Sequence, residues 1–362
     1  MKNRIGVLSS KLVVSIVAIL FLILAVLIYL LTKPSNDYPA DSAGVKVNLV
    51  VSTGEFGSQI AQDAKKLGIV KDSSYLTSLL IKEQIKNIAP GTHQINQHLP
   101  AKQAITQLID PKLIIDQITI KPGENVGTVI NKLKNIPSIS FAGFHYFGDG
   151  KSNLKLKLPI SNKLESLEGQ LGTATYSFSP NTKVSDVLSE MLLNFQNSPS
   201  AKLLSEIDTQ NFGDLKKTLL KSGIITPKYA VLIVASLLQL EGDPVDFGKV
   251  ARVIYNRLAL GMPLQLNSTV AYGLGLKNQI AMSVSQTKSS NSYNTYLNLG
   301  LPPTPINNPS LEAIQAALKP EVGDWLYFVT IKPGVTKFSN NYPTFLKYKQ
   351  EFEAELAKGS FK

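Results

Sequence analysis

The spacing of hydrophobic positions changes along the chain between strand-like and helix-like patterns, and together they predict an α+β fold. Apolar runs rich in β-branched or aromatic residues predict strands at Val47–Val51 and at Trp325–Val329, the second of them buried. Apolar residues at helical spacing predict helices at Asp246–Leu260 and Phe345–Leu356. The stretch Thr226–Glu241 is apolar on nearly every side of a helix, which predicts a buried helix.

The first strongly apolar stretch runs without a charge from Leu12 to Leu31. About 20 residues at a rise of ~1.5 Å cross a ~30 Å hydrocarbon core, so a single transmembrane helix is predicted. Lys2, Arg4 and Lys11 precede it without an acidic residue, which favours a cytoplasmic N-terminus and an extracytoplasmic remainder. A cleaved signal peptide is the alternative. The apolar run exceeds a usual signal core, and no small-x-small cleavage site follows it directly.

One pattern of elements occurs twice between residues 47 and 198. A strand leads to the turn Gly54-Glu55 in the first half and to Gly123-Glu124 in the second, and a helix follows each turn. The spacing from Gly54-Glu55 to Ile60 is the same as that from Gly123-Glu124 to Val129. A second strand and helix complete each half, so the pattern predicts a duplicated β-α module.

Glu241 is the single carboxylate of the predicted buried helix. Thr226 and Pro227 predict its start, with the Thr226 side chain accepting a backbone N–H bond, and Gly242 predicts its end. Burial and the negative end of a helix dipole both disfavour an ionised carboxylate. We therefore expect a raised pKa suited to a general acid. The alternative is a solvated residue that follows a core helix.

Loops rich in Asn, Gln, Tyr and Pro follow Glu241 and suit a long polar polymer such as a glycan. Four blocks in this region resemble, in the same order, the YceG-like (MltG) family of endolytic murein transglycosylases. The blocks are ASLLQLEG at 235–242, VIYNRLALGMPLQ at 253–265, STVAYGLG at 268–275 and YNTYLNLGLPPTPINNP at 293–309. The same resemblance extends to the membrane-proximal LysM-like part of the family for residues 47–198, which either contacts glycan or acts only as a spacer.

The resemblance implies a lytic transglycosylase that needs no metal or other cofactor. Glu241 would protonate the bond between N-acetylmuramic acid and N-acetylglucosamine, and its carboxylate would then deprotonate the C6 hydroxyl to give a 1,6-anhydro end. The residues that would line the cleft or orient its loops are Asn256, Arg257, Gln265, Tyr272, Tyr293, Asn294 and Tyr296. For Arg257, an ion pair with Asp246 is the structural alternative.

Several positions depart from the family pattern. Glu168 lies in a Leu-Glu-Gly block that resembles one of the family, where the Glu lies near the cleft, but the usual Pro-Asp after it is missing. Glu168 is therefore either a second carboxylate of the site or, as the missing Pro-Asp favours, a structural hydrogen-bonding residue. Gln239 and Asn267 replace acidic residues that are common in the family, and Lys337 replaces a His. Fewer acidic neighbours predict a lower Glu241 pKa and weaker activity than in typical members.

Composition excludes several other kinds of site. The chain has no cysteine, and none of its three histidines lies between 226 and 309, so a Ser-His-Asp triad or a His-based metal site is excluded there. The net charge of +11 favours anionic lipid and wall polymers as partners, whereas no motif supports nucleic-acid binding. A hydrolytic muramidase would need a second carboxylate, for which Glu168 and Asp243 are the candidates.

The predicted partners are peptidoglycan glycan strands, the cell membrane through one span, and peptidoglycan synthases. A catalytically weak glycan-binding scaffold of the synthesis machinery is the alternative to the enzyme. The predicted organisation is, in chain order, a cytoplasmic tail (1–11), a transmembrane helix (12–31), a linker (32–46), a duplicated LysM-like module (47–198) and a helix-rich α+β catalytic domain (199–362).

Overall fold

The structure is a computed structural model, and it divides into two compact units, Met1–Ile115 and Asp116–Lys362. The residues that it describes are Ser15, 19–24, 35–161, 165–207, 226–276 and 282–361. Most of the predicted membrane span lies outside these residues. Among the described residues, no helix has both the length and the apolar character that crossing a bilayer requires.

The first unit is a two-stranded antiparallel sheet covered by helices. Its elements are, in chain order, β1 (Lys46–Val51), α1 (Gly57–Lys66), α2 (Ser73–Lys82), β2 (Gly91–Asn96) and α3 (Ala101–Leu108). β1 pairs with β2 so that Leu49 lies opposite His93. Leu49 and Val51 alternate with exposed residues along β1 and enter the core, as the two-residue period of a strand requires.

The second unit contains both the second predicted half-module and the predicted catalytic region. Its elements are, in chain order, β3 (Gln117–Thr119), α4 (Val126–Lys134), β4 (Ile139–Ser140), β5 (Tyr146–Gly148), β6 (Lys151–Ser152), β7 (Thr175–Ser177), β8 (Thr182–Lys183), α5 (Val184–Gln196), α6 (Pro199–Glu206), α7 (Pro227–Glu241), α8 (Phe247–Leu260), α9 (Asn267–Gly273), α10 (Val284–Thr287), α11 (Leu311–Leu318), β9 (Tyr327–Lys332), β10 (Val335–Ser339) and α12 (Tyr342–Ala357). β3–β7, β5–β6 and β9–β10 pair antiparallel, and β4–β8 pair parallel.

Helix α7 is the centre of the second unit. Every side chain from Tyr229 to Leu238 is buried, which confirms the predicted core helix, and α6, α8, α9 and α11 pack around it. The predicted cap at Thr226 is wrong, because its side chain caps no N–H and its hydroxyl has no hydrogen-bond partner among the described residues. The helix ends at Gly242 as predicted, although Gly242 is extended rather than left-handed.

The structure shifts the bounds of one predicted strand. The strand expected at 325–329 begins at Tyr327 and ends at Lys332, and Ile331 is its one buried side chain. This strand is half-exposed because one side of it borders an open cleft. The boundary between the two compact units, after Ile115, falls within the module predicted at 47–198, and the bounds of that module remain a prediction.

Both halves of that predicted module have a strand, a helix, an antiparallel partner strand and a further helix in this order. A common origin by duplication and a LysM-like character remain predictions.

Candidate functional site

Glu241 lies at the last position of α7, partly exposed at the wall of a cleft. Its Oε1 accepts a hydrogen bond from the Ser268 hydroxyl at 2.5 Å and one from the Ser268 backbone N–H at 3.3 Å. Burial raises the pKa of Glu241, and the two bonds from Ser268 oppose this by stabilising the carboxylate. The predicted direction of the shift is therefore confirmed. A carboxyl group in this setting keeps its proton closer to neutral pH and can act as a general acid.

Helix α9 brings a second group of polar side chains to Glu241. Ser268 lies in its first turn, and the neighbouring Asn267 Oδ1 accepts the hydroxyl of Tyr296 at 2.8 Å. Burial raises the pKa of Tyr296, and the nearby Glu241 carboxylate adds to this shift. Thr295 fixes the approach to α9, because its carbonyl accepts Gln265 N–H at 3.0 Å and its hydroxyl accepts Leu266 N–H at 2.9 Å.

The cleft has a volume of about 860 Å³. The wall around Glu241 is formed by the end of α7 and the first turns of α9. The remaining walls come from the loop before α4, from β9 and from α12. Among the described residues, its polar lining consists of Asn125, Glu241, Arg257, Gln265, Asn267, Ser268, Tyr272, Tyr296, Tyr327, Thr330, Tyr342 and Lys349.

Arg257 organises the loop after α8. Its guanidinium donates to the carbonyl oxygens of Leu326, at 2.6 Å, and of Pro263 and Leu264, at 3.1 and 2.9 Å. It also lies 5.1 Å from the centre of the Tyr327 ring, a cation–π contact. The alternative ion pair with Asp246 is not among its contacts in the described part of the chain. Arg257 therefore lines the cleft and also holds the loops of its wall.

Gln265 and Tyr272 are the other predicted residues that reach the cleft. Gln265 adopts a left-handed backbone conformation, φ +53°, which turns the chain between α8 and α9. Tyr272 lies one helical turn after Ser268 on α9, so the two side chains share one face of that helix.

Three predicted residues support loops and do not line the cleft. The Asn256 amide donates to the carbonyls of Gly323 and Trp325. The Tyr293 hydroxyl bonds to Thr304 at 2.8 Å. Asn294 is fully buried, and it donates to two carbonyls and accepts Tyr296 N–H at 3.0 Å. These contacts agree with the loop-orienting role that the family resemblance implied.

Glu168 lies behind the cleft and is fully buried. Its carboxyl group accepts the Tyr272 hydroxyl at 2.8 Å and the Val126 N–H at 3.2 and 3.1 Å. Burial raises the pKa of Glu168 to about 8, although these bonds lower it. A carboxyl group with no solvent exposure cannot activate a water molecule in the cleft, so the structural interpretation of Glu168 is favoured. Glu168 connects α4, whose cap Asn125 lines the cleft, with α9.

Sequence reasoning missed part of the site. Ser268 stands within a family block, and nothing in a sequence shows that its hydroxyl meets a carboxylate on another helix. Gly123 and Asn125, which line the cleft, fall in the stretch predicted as a separate module. The aromatic residues of β9 and α12 predict only a strand and a terminal helix.

Gln239 and Asn267, which stand where the family commonly has acidic residues, lie in different places relative to Glu241. Gln239 accepts Ser310 N–H at 2.9 Å, on the side of α7 away from Glu241, because residues two apart in a helix point in nearly opposite directions. Asn267, in contrast, lines the cleft. A charge effect on Glu241 is therefore expected from position 267 rather than from position 239. Among the described residues, no cluster of His, Asp and Glu could hold a metal ion.

Comparison with known proteins adds a family assignment. The profile described as "YceG-like family" matches residues 49–351. An endolytic murein transglycosylase of Bacillus subtilis (strain 168) is 26% identical over 320 residues, which cover 84% of each protein. One from Streptococcus pneumoniae (strain R6) is 34% identical over 181 residues, 48% of this chain, and this chain spans only 30% of that protein. The 2.6 Å crystal structure of a YceG-like protein from Listeria monocytogenes aligns with a TM-score of 0.49 at 21% identity, covering 84% of this chain and 99% of that one.

Proposed function

Since the chain belongs to the YceG-like family, we propose that it is an endolytic lytic transglycosylase that cleaves peptidoglycan glycan strands. The observation that carries the proposal is the setting of Glu241. It is the one carboxylate among the described residues that line the cleft, and burial raises its pKa. The names of the relatives from B. subtilis and S. pneumoniae support the same reaction.

A single carboxyl group suits this reaction better than hydrolysis. Glycosidases that use water place two carboxyl groups on opposite sides of the scissile bond. Glu168 is buried behind Tyr272, and Asp243 is exposed and does not line the cleft. A lytic transglycosylase needs only one group, which acts first as an acid and then as a base.

The mechanism follows from the protonation state of Glu241. The protonated carboxyl group gives its proton to the glycosidic oxygen between N-acetylmuramic acid and N-acetylglucosamine, and the bond to C1 breaks as positive charge develops on the muramyl ring. The carboxylate then removes the proton of the C6 hydroxyl, whose oxygen closes on C1. The product has a 1,6-anhydro end, and Glu241 regains its proton without consuming water. Ser268 stabilises the intermediate carboxylate through its two hydrogen bonds.

We further propose that the enzyme is a single-pass protein of the cell membrane with its catalytic unit outside, acting on nascent strands beside peptidoglycan synthases. The uncharged stretch from Leu12 to Leu31 and the basic residues before it support this location. Cleavage of a growing strand at the membrane would end its elongation and set its length.

The experiment that tests the reaction is mass spectrometry of products from uncrosslinked glycan strands. We expect anhydro-ended fragments from the wild type, and a loss of at least about 100-fold in rate for Glu241→Gln, because general acid catalysis contributes factors of this size. Gln239→Ala is the matched control on the same helix and should retain activity. Strand binding without cleavage by the wild type would instead support the scaffold alternative.

A further inference from the structure

Helix α12 is unusual because none of its side chains is buried, although it carries several aromatic residues. Tyr342, Phe345, Lys349 and Phe352 follow one another at intervals of three or four residues, so they share one face of the helix. All four line the cleft that contains Glu241. A soluble helix normally buries its apolar stripe against the core, whereas this stripe borders open space.

The aromatic rings of this face form an ordered cluster with β9. The Tyr327 ring stacks on Phe345 with centres 5.2 Å apart, and it lies 5.7 Å from Tyr342. Contacts of this kind fix the orientation of the rings and reduce the conformational entropy that they lose when a ligand binds. Tyr342 is nevertheless 54% exposed, so part of its ring remains accessible. The cluster is a preformed apolar platform.

The platform is continuous with the catalytic residues and carries a positive charge. Arg257 touches the Tyr327 ring on one side and Gln265 on the other, and Gln265 borders α9. Lys349 is more than half exposed, and its one ion pair within the described residues is a long, exposed contact with Glu353 at 3.8 Å. Sugar rings present C–H faces that pack on aromatic rings, and each muramyl unit carries a lactyl group that ends in a carboxylate or a stem peptide.

We propose that β9 and α12 form a saccharide-binding subsite that holds the glycan strand beyond the scissile bond. Sugar rings pack on the platform of Tyr327, Tyr342 and Phe345, and Lys349 attracts a carboxylate of the strand. The subsite rests on the proposed function, and it accounts for endolytic cleavage, because an enzyme that cuts within a strand must bind sugars on both sides of the cut. The exposed aromatic face of α12 is then covered by substrate.

Binding to the full chain carrying Glu241→Gln tests the subsite without cleavage. Tyr342→Ala in this background is expected to weaken binding of uncrosslinked strands about 3- to 10-fold, and binding of neutral N-acetylglucosamine oligomers of matched length to a similar extent. Lys349→Gln should weaken binding of the anionic strands alone, with a smaller effect at high salt. Phe147→Ala is the matched control, because Phe147 is 68% exposed and lies on β5 outside the cleft.

The possible outcomes distinguish failure of the proposed subsite from failure of the proposed reaction. Unchanged binding for Tyr342→Ala, or an equal loss for Phe147→Ala, would overturn the subsite while leaving the catalytic role of Glu241 intact. If the Glu241→Gln parent bound no strand at all while the wild type still released anhydro ends, the subsite would be overturned and the reaction kept. Failure of the wild type to cleave, with Tyr342-dependent binding retained, would overturn the reaction and keep the subsite. Thermal unfolding of each variant checks that the fold is unchanged.

Discussion

The turns that follow β1 and β3 have the same local structure and different surroundings. In the first unit, Glu55 accepts Ser52 N–H at 2.7 Å, and Gly54 has φ +77°. In the second unit, Glu124 accepts Lys121 N–H at 3.2 Å, and Gly123 has φ +88°. A helix starts two residues after each Glu, and a buried side chain, Ile60 or Val129, lies five residues after it in both units.

The surroundings distinguish the two turns. Phe56, which follows Glu55, is 81% exposed, and a Cβ added at Gly54 would meet nothing within 4 Å. Gly123, in contrast, donates its N–H to the Asn308 carbonyl at 2.9 Å, and Asn308 donates back to the Glu124 carbonyl at 3.0 Å. The second turn is thereby fixed to the proline-rich loop of the catalytic region and lines the cleft. Local sequence sets the turn, and tertiary partners decide whether it takes part in the site.

The largest expected effect concerns Glu168, which anchors α4 to α9. Its pKa is raised from an ordinary value of 4.5 to about 8, so the folded protein holds this proton more tightly than the unfolded chain. The resulting stabilisation is complete below pH 4.5 and is lost as the pH rises through 8, by on the order of a few kcal/mol. Glu168→Gln should flatten this decline in denaturant unfolding measured between pH 5 and 9. Tyr272→Phe, which keeps the carboxyl group, should not. Parallel pH profiles for wild type and Glu168→Gln would contradict the assignment.

Asn308→Ala tests the contact that fixes the second turn. The Asn308 side chain accepts Leu171 N–H at 3.0 Å and donates to the Glu124 carbonyl at 2.8 Å. Its removal leaves a buried N–H unpaired, so we expect a loss of about 2 kcal/mol in unfolding free energy together with reduced strand cleavage. The control Asn96→Ala removes a bond from the Asn96 amide to the Gly44 carbonyl in the first unit. It should lower stability without changing the rate of cleavage. A comparable loss of rate in both variants would contradict the conclusion that the Asn308 contact positions a turn of the site.

Alanine substitutions of the two turn glycines distinguish a loss of stability through backbone strain from a loss of cleavage. Gly54→Ala and Gly123→Ala both force a side chain into a left-handed conformation, at a cost of about 1 kcal/mol each. A Cβ at Gly123 would lie 3.7 Å from Gln239, an ordinary contact, so no clash adds to this cost. We expect similar losses of stability in denaturant titrations, and weaker cleavage for Gly123→Ala alone. Equal rates of cleavage by the two variants would show that the turn at Gly123 does not contribute to the site.

The smallest expected effect concerns the N-cap position, the residue directly before each helix. Asn125 accepts Thr128 N–H at 2.8 Å and caps α4, whereas Phe56 makes no side-chain cap for α1. Phe56→Asn should therefore stabilise the protein by about 0.5–1 kcal/mol, and Asn125→Ala should destabilise it by about 1 kcal/mol. Chemical denaturation of both variants measures these changes. A destabilised Phe56→Asn protein would mean that Phe56 makes a contact which outweighs the cap.

The sequence predicted the elements of both halves well because their signals are local. The apolar spacing that includes Ile60 and Val129 predicts α1 and α4, and Gly261, with φ +67°, ends α8 directly after the predicted bound at Leu260. Ser310 accepts Ala313 N–H at the start of α11, a cap formed between residues three positions apart. Each of these features depends on residues within a few positions of one another.

The composition of the site was less predictable because its contacts join distant parts of the chain. Glu241 could be singled out as a carboxylate at the end of an apolar helix, and its pKa shift followed from burial. Its partner Ser268 and the anchor formed by Glu168 and Tyr272 depend on how α7, α4 and α9 pack. The contact of Asn308 with the turn at Gly123 likewise joins residues that no local pattern connects.

Cleavage in H₂¹⁸O shows directly whether Glu241 cleaves glycan strands without using water. Mass spectrometry of the new muramyl ends from wild-type protein should find 1,6-anhydro ends without ¹⁸O, because the C6 oxygen of the same sugar closes the ring. Glu241→Gln should form these ends at least about 100-fold more slowly. Reducing ends that carry ¹⁸O would show that water attacks C1, which would contradict the assignment of Glu241 as the one carboxyl group that completes the reaction.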